Sequence, residues 1–206
     1  MPYSMESLKD NCYEGTTCLV NKLNIRDEKV LQQVESSITL VKFSYLMSNP
    51  LPGSYDFEYY REIHRYLFGD LYDWAGEIRT INLSKKGTSF MKAEQIEASA
   101  NACFERINSL DFSKMSHDEL IEEFADFYNT LNLIHPFREG NGRTQRLYFT
   151  QWMRHLGYDV NLSEIDKDVL MFATIYAAQG IMDGLKEIFS TLIPDQHRFD
   201  VQQTFL

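Results

Sequence analysis

His135-Pro136-Phe137-Arg138-Glu139-Gly140-Asn141-Gly142-Arg143-Thr144-Gln145-Arg146 brings an imidazole, a carboxylate, two glycines around an asparagine and a cluster of arginines into twelve consecutive residues. The stretch falls where one helical pattern stops and another begins. A helix N-terminus presents free backbone N–H groups and partial positive charge, and glycines let an anion approach that backbone. Arginines neutralise what arrives. The segment therefore reads as a phosphate-handling site between two helices.

On its N-terminal side, Ser116-His117-Asp118-Glu119 matches a capping box, and the helix that it opens carries Leu120, Phe124, Tyr128 and Leu131 at helical spacing. His135 continues that stripe, which predicts a ring fixed against the core, and Pro136 ends the helix. On the C-terminal side Asn141 is the expected N-cap of a helix from Gly142 to Leu156, closed by Gly157. Arg143 and Arg146 are three apart and are expected on one face of its first turn.

Further helices are predicted over Asp27–Ser48, with Leu31, Val34, Ile38, Val41 and Tyr45 recurring at three and four, and after the cap Asp56, with Phe57, Tyr60, Ile63, His64 and Leu67. His64 reads as a packed or surface histidine with no site beside it. Lys92–Leu110, Ser163–Gln179 and Ile181–Ile193 complete the helical set. Between them Ile78-Arg79-Thr80-Ile81-Asn82-Leu83 alternates apolar and polar, Ser84-Lys85-Lys86-Gly87-Thr88 is turn-like, and Ser89-Phe90-Met91 returns. That pattern predicts one short β-hairpin in an otherwise all-α protein. A two-stranded hairpin is marginal alone, so this one must lean on helices or meet a partner.

At 206 residues and 44% apolar content, the chain is expected to form a single domain, with its core over about residues 12–193 and an aperiodic, disordered tail over 194–206. A net charge of −10 argues against a nucleic-acid surface, so anion binding must be local to Arg138, Arg143 and Arg146. Cys12, Cys18 and Cys103 lack metal or disulfide spacing, the N-terminus lacks an apolar signal core, and the run Val169–Ala178 is too short to span a bilayer. A cytoplasmic protein with no membrane contact is expected.

The central motif gives each member a task if a nucleoside triphosphate lies across the loop. Gly140 and Gly142 admit phosphate oxygens to the backbone, and Arg143 and Arg146 clamp them. Glu139 would be repelled by phosphate unless a cation lay between, and Mg²⁺ is the natural one. His135 can accept the proton of an incoming hydroxyl. Each piece alone is weak; their joint occurrence at one junction is what carries the reading. The Walker, dinucleotide and kinase motifs are absent.

The segment resembles the signature of the Fic family, His-x-Phe-x-(Asp or Glu)-Gly-Asn-Gly-Arg-x-x-Arg, at every specified position. The likeness extends to Tyr13–Thr16 followed by Asn21–Asp27, and to Ile63–Asp70 and Trp74–Arg79. It implies an all-helical Fic fold with a β-hairpin flap, and transfer of AMP from ATP to a hydroxyl of a target protein with release of pyrophosphate. By position it implies His135 as general base, Glu139 as Mg²⁺ ligand and Phe137 as anchor of the loop. Gly140, Asn141 and Gly142 are implied around the transferred phosphate, and Arg143 and Arg146 on the outer ones. Lys86, Gly87, Thr88, Ser89 and Phe90 of the flap are implied to register an extended target segment.

Family members are often held inactive by a helix bearing (Ser or Thr)-x-x-x-Glu-(Gly or Asn), whose Glu meets the second motif arginine, here Arg146. Asp10 stands where that pattern needs Ser or Thr before Glu14-Gly15. A toxin-type member restrained by a separate antitoxin-like protein is therefore expected, with a bacterial type II topoisomerase as the target class. Against AMP transfer stand a Doc-type kinase, disfavoured by Gly142, a silent nucleotide-binding module, disfavoured by His135 and Glu139, and removal of AMP by the same site.

Overall fold

The computed structural model describes residues 11–85 and 87–193. Its elements are α1 (Glu28–Ser48), α2 (Phe57–Phe68), β1 (Ser84–Lys85), β2 (Thr88–Ser89), α3 (Ile96–Asn108), α4 (His117–Ile134), α5 (Asn141–His155), α6 (Lys167–Ala177) and α7 (Asp183–Leu192). The all-helical architecture with one small hairpin is as expected. The tail 194–206 and the flap residue Lys86 lie outside the described residues, as does Asp10 of the Glu14-Gly15 segment.

Helix boundaries follow local chemistry. Asp27 accepts from the amides of Lys29 and Val30, Asp56 from that of Tyr59, and Ser116 with Glu119 forms the full capping box. These side chains satisfy amides that a first turn leaves without partners. Short 3-10 turns at Ala93–Gln95 and Leu162–Glu164 replace the expected first turns of α3 and α6.

The core is aromatic. Phe104 of α3, Phe127 of α4 and Tyr148 of α5 meet edge-on, with Phe104 5.4 Å from each of the other two ring centroids, and Trp152 joins Phe124 and Phe127 at 5.2 Å from each. Edge-to-face contact suits the ring quadrupoles and fills the space between helices that run past one another. Buried polar groups are paired across elements: Gln145 Nε2 donates to the Tyr128 carbonyl at 2.7 Å, and Gln151 Nε2 to that of Leu46 at 2.7 Å. Such pairing offsets the cost of burying an amide and fixes α5 against α4 and α1. The consequence is a rigid frame around the α4–α5 junction.

Two expectations are corrected here. The buried face of α1 is Leu31, Glu35, Thr39 and Leu46, while Val41 and Tyr45 are 71% and 56% exposed. Polar contacts reached by Glu35 and Thr39, described below, set the rotation of α1, and Tyr45 stacks on Tyr66 at the surface instead. The hairpin is present but displaced: Ser84 pairs with Ser89 and Lys85 with Thr88, so the strands lie where a turn was expected. Ile78–Leu83 is not a strand, because Arg79 is held by another part of the chain.

Candidate active site

The motif loop leaves α4 through His135, whose backbone is left-handed at φ 46°, ψ 61°. Proline disfavours right-handed helix in the residue before it, so the chain turns here rather than continuing the stripe. His135 consequently does not pack its ring on the core as expected. The imidazole lies under the flap, stacked on Phe90 with centroids 3.7 Å apart and planes 8° from parallel. Its Nδ1 is 3.2 Å from the Asn132 carbonyl. A carbonyl can only accept, so Nδ1 carries the hydrogen and Nε2 keeps the lone pair. Burial lowers the ring's pKa to about 3; the Asn132 bond works upward, and the charges of Lys85 and Arg79 push further down. The ring is thus neutral at neutral pH, with its lone pair on Nε2.

The loop is braced from within. Asn141 is the first residue of α5 rather than its cap; Gly140, at φ 81°, is the cap. The Asn141 side chain accepts from the Phe137 amide at 2.9 Å and donates to the Phe137 carbonyl at 2.7 Å. That reciprocal pair closes the turn, which is why Asn141 was drawn away from capping. Phe137 is fully buried, stacked on His64 at 3.9 Å and Tyr60 at 5.4 Å.

Two residues outside the motif hold it in place. His64 Nδ1 accepts from the Gly76 amide at 2.8 Å, so its Nε2–H donates to the Glu139 carbonyl at 2.9 Å. Of the packed and surface readings His64 takes the packed one, and a site that was not expected beside it lies against it. Arg79 donates through Nε to the His135 carbonyl at 2.8 Å and through Nη2 to that of Met91 at 2.5 Å, while its own amide donates to the Pro136 carbonyl at 2.8 Å. One guanidinium thereby ties the end of α4 to the flap, which is why its neighbourhood cannot run as a strand. Neither role was legible beforehand; the sequence offered only the placement of both residues in family-like flanks.

The arginines separate. Arg146, half-buried, lines a cavity of about 200 Å³ together with His135, Glu139 and Gly142, under Lys85 and Phe90 of the flap. Burial lowers its pKa, and among the described residues no carboxylate is paired with it. Arg143 turns the other way. Its Nη2 meets Glu35 at 2.5 Å, its Nη1 donates to Thr39 Oγ1 at 3.1 Å, and its guanidinium lies 4.7 Å above the Phe68 ring. Glu35 also accepts from the Tyr72 hydroxyl. Arg138 is buried beside Cys12, its Nη2 4.0 Å from the thiol. The structure thus brings His135, Glu139, Asn141, Gly142 and Arg146 to one cavity and leaves Arg138 and Arg143 out of it.

His135 and His64 predict an acid limb of stability. Burial also lowers the pKa of His64 to about 3, against about 6.5 for an unfolded histidine. Between those values the unfolded chain binds protons that the folded chain does not, so stability is complete above pH 6.5 and falls as pH drops through the window. Each histidine contributes up to about 1.4 kcal/mol per pH unit. The urea midpoint is expected to fall between pH 7 and pH 5, more gently in His64→Gln; an unchanged midpoint over that range would contradict the neutral, buried assignment.

Residues 54–153 match the Fic/DOC family model. The chain is 37% identical over 174 residues to the Probable protein adenylyltransferase y4lH of Sinorhizobium fredii, covering 82% of this chain and 88% of the relative. It is 30% identical over 184 residues to the Probable protein adenylyltransferase Fic of Escherichia coli, covering 89% and 91%. Among solved structures, the BepC protein of Bartonella tribocorum with bound AMPPNP superposes with a TM-score of 0.82 at 28% identity, covering 89% of this chain and 96% of that one. No helix among the described residues is long and apolar enough to cross a membrane. Motif, fold and relatives agree: the chain belongs to the Fic/DOC family.

Proposed function

We propose that this chain, an AMP-transferase by its family, moves AMP from ATP to a Tyr, Thr or Ser hydroxyl of a target protein. His135 Nε2 takes the hydroxyl proton, the oxygen forms its bond to the α-phosphorus, the bond to the bridging oxygen breaks, and pyrophosphate leaves. The carrying observation is the placement of His135: its Nδ1 is committed to the Asn132 carbonyl, which leaves the lone pair on Nε2, and the residue lines the cavity that Arg146 and the start of α5 also line.

Gly140 breaks the approach to α5, and the first-turn amides of Asn141 and Gly142 at the cavity suit a transferred phosphate. Arg146 suits an outer phosphate. Glu139 is the motif's carboxylate at the cavity, and among the described residues no cluster of three or more metal-type side chains exists. That donor set fits Mg²⁺, which takes one or two carboxylates and completes its shell from phosphates and water. When bound, the ion would neutralise phosphate charge. The hairpin, with Gly87, Ser89 and Phe90, would hold an extended target segment by strand-like pairing.

Arg146 lines the cavity and has no paired carboxylate among the described residues, which supports inhibition by a glutamate from a separate antitoxin-like protein. Bacterial type II topoisomerases are the target class to test first. Incubation with ATP, Mg²⁺ and bacterial lysate, followed by mass spectrometry, is expected to yield adenylylated hydroxyl side chains with the wild type and none with His135→Ala. Equal modification by both proteins would contradict the proposal.

A further inference from the structure

A triphosphate carries several negative charges, and the motif supplies less compensation than its two arginines, Arg143 and Arg146, suggest. Arg143 is committed to Glu35 and stacked on Phe68, outside the cavity. Arg146 is left, and the carboxylate-bearing Glu139 lines the same cavity. The remaining positive charge at the cavity comes from outside the motif: Lys85 of β1 and, from the exposed first turn of α6, Lys167.

Lys85 is the better placed of the two. Lys85 and Thr88 are cross-strand partners, so their side chains share one face of the hairpin, and both line the cavity. The Ser84–Ser89 pair alternates to the other face. At the root of the hairpin the Phe90 amide donates to the Leu83 carbonyl at 3.0 Å, and the Phe90 ring stacks on His135. Phe90 and Arg79 thus anchor the hairpin above the base, and its inner face offers an ammonium and a hydroxyl, the groups that bind phosphate oxygens.

We propose that Lys85, with Thr88 opposite it, binds a non-bridging phosphate oxygen of ATP, so that the flap is part of the nucleotide site and not only a platform for the target. This rests on the reading that ATP occupies the cavity. The hairpin then has two sides of different chemistry: an inner face for phosphate and an outer edge for the target backbone. Bound nucleotide fixes the strands against which the target must pair, and ATP binds before the target.

The test uses the full chain without target, Mg²⁺ and α,β-methylene ATP, which cannot transfer AMP, with adenosine as the phosphate-free probe. Calorimetry is expected to show Lys85→Gln binding the analogue about tenfold more weakly, adenosine unchanged, and Lys85→Arg close to wild type. Amide exchange in β1 and β2 is expected to slow on adding the analogue to wild type and not to Lys85→Gln. Equal analogue affinity in wild type and Lys85→Gln would overturn the role of Lys85 and leave the adenylyltransferase reading standing. Parallel loss of adenosine binding would also overturn it, by showing a structural effect. Failure of the wild type to bind the analogue at all would overturn both.

Discussion

Replacing His135 by alanine is expected to reduce AMP transfer by about 10²- to 10⁴-fold, the range contributed by a positioned general base, while the protein stays folded. The geometry separates the two effects. His135 has already left α4, and its ring touches Phe90 of the flap rather than the aromatic core, so truncation opens no hole among Phe104, Phe127 and Tyr148. Alanine at φ 46° adds about 1 kcal/mol of left-handed strain, which asparagine tolerates better. His135→Asn is therefore the companion variant. It should lose transfer as fully as His135→Ala and melt closer to wild type, and near-normal transfer by either variant would remove the histidine from the mechanism.

Gly140→Ala is expected to have the largest effect on the site's architecture. A methyl group there would stand 2.3 Å from Phe68 Cζ, far inside contact distance, on a backbone already at φ +81°. Phe68 cannot yield easily, since it is fully buried and stacked between His64, at 4.6 Å, and the Arg143 guanidinium. Left-handed strain of about 1–2 kcal/mol and overpacking of about 1–3 kcal/mol act together, lowering Tm by roughly 5–15 °C for a chain of this size. Function should fall further than stability. The Gly140 carbonyl accepts from the amides of Arg143 and Thr144, so its displacement moves the first turn of α5 and Glu139 with it. If the contact with Phe68 is the cause, Gly140→Ala combined with Phe68→Ala will be less destabilised than the sum of the single changes. Strict additivity would place the damage elsewhere.

These two positions also mark what the chain reveals before it is folded. The helices were legible because apolar residues recur at three and four and because Asp27, Asp56 and Ser116 carry the chemistry of a first turn. The loop was legible as a group because its members are adjacent in sequence, and His135, Glu139, Asn141, Gly142 and Arg146 do line one cavity. What was hidden depends on distant partners. Arg143 was indistinguishable from a phosphate clamp until Glu35, 108 residues earlier, was seen against it. The same pairing explains the face of α1, since a charged residue at Glu35 gives no apolar signal for burial. Arg79 read as a polar member of an alternating strand because alternation reports only local pattern, while the carbonyl of His135, 56 residues away, decides its direction. Asn141 has the composition of an N-cap, but the Phe137 backbone offers it both a donor and an acceptor and wins. Sequence pattern thus reports elements and local chemistry; the loop's bracing belongs to tertiary structure.

The most direct test of the central claim follows the phosphorus of ATP. Purified protein is incubated with Mg²⁺ and a lysate of potential targets, once with ATP labelled at the α-phosphate and once with ATP labelled at the γ-phosphate. Label retained on protein from the α position alone, and lost in His135→Ala, is the result expected of an adenylyltransferase that uses this base. Label retained from the γ position alone would make the enzyme a kinase and contradict the account.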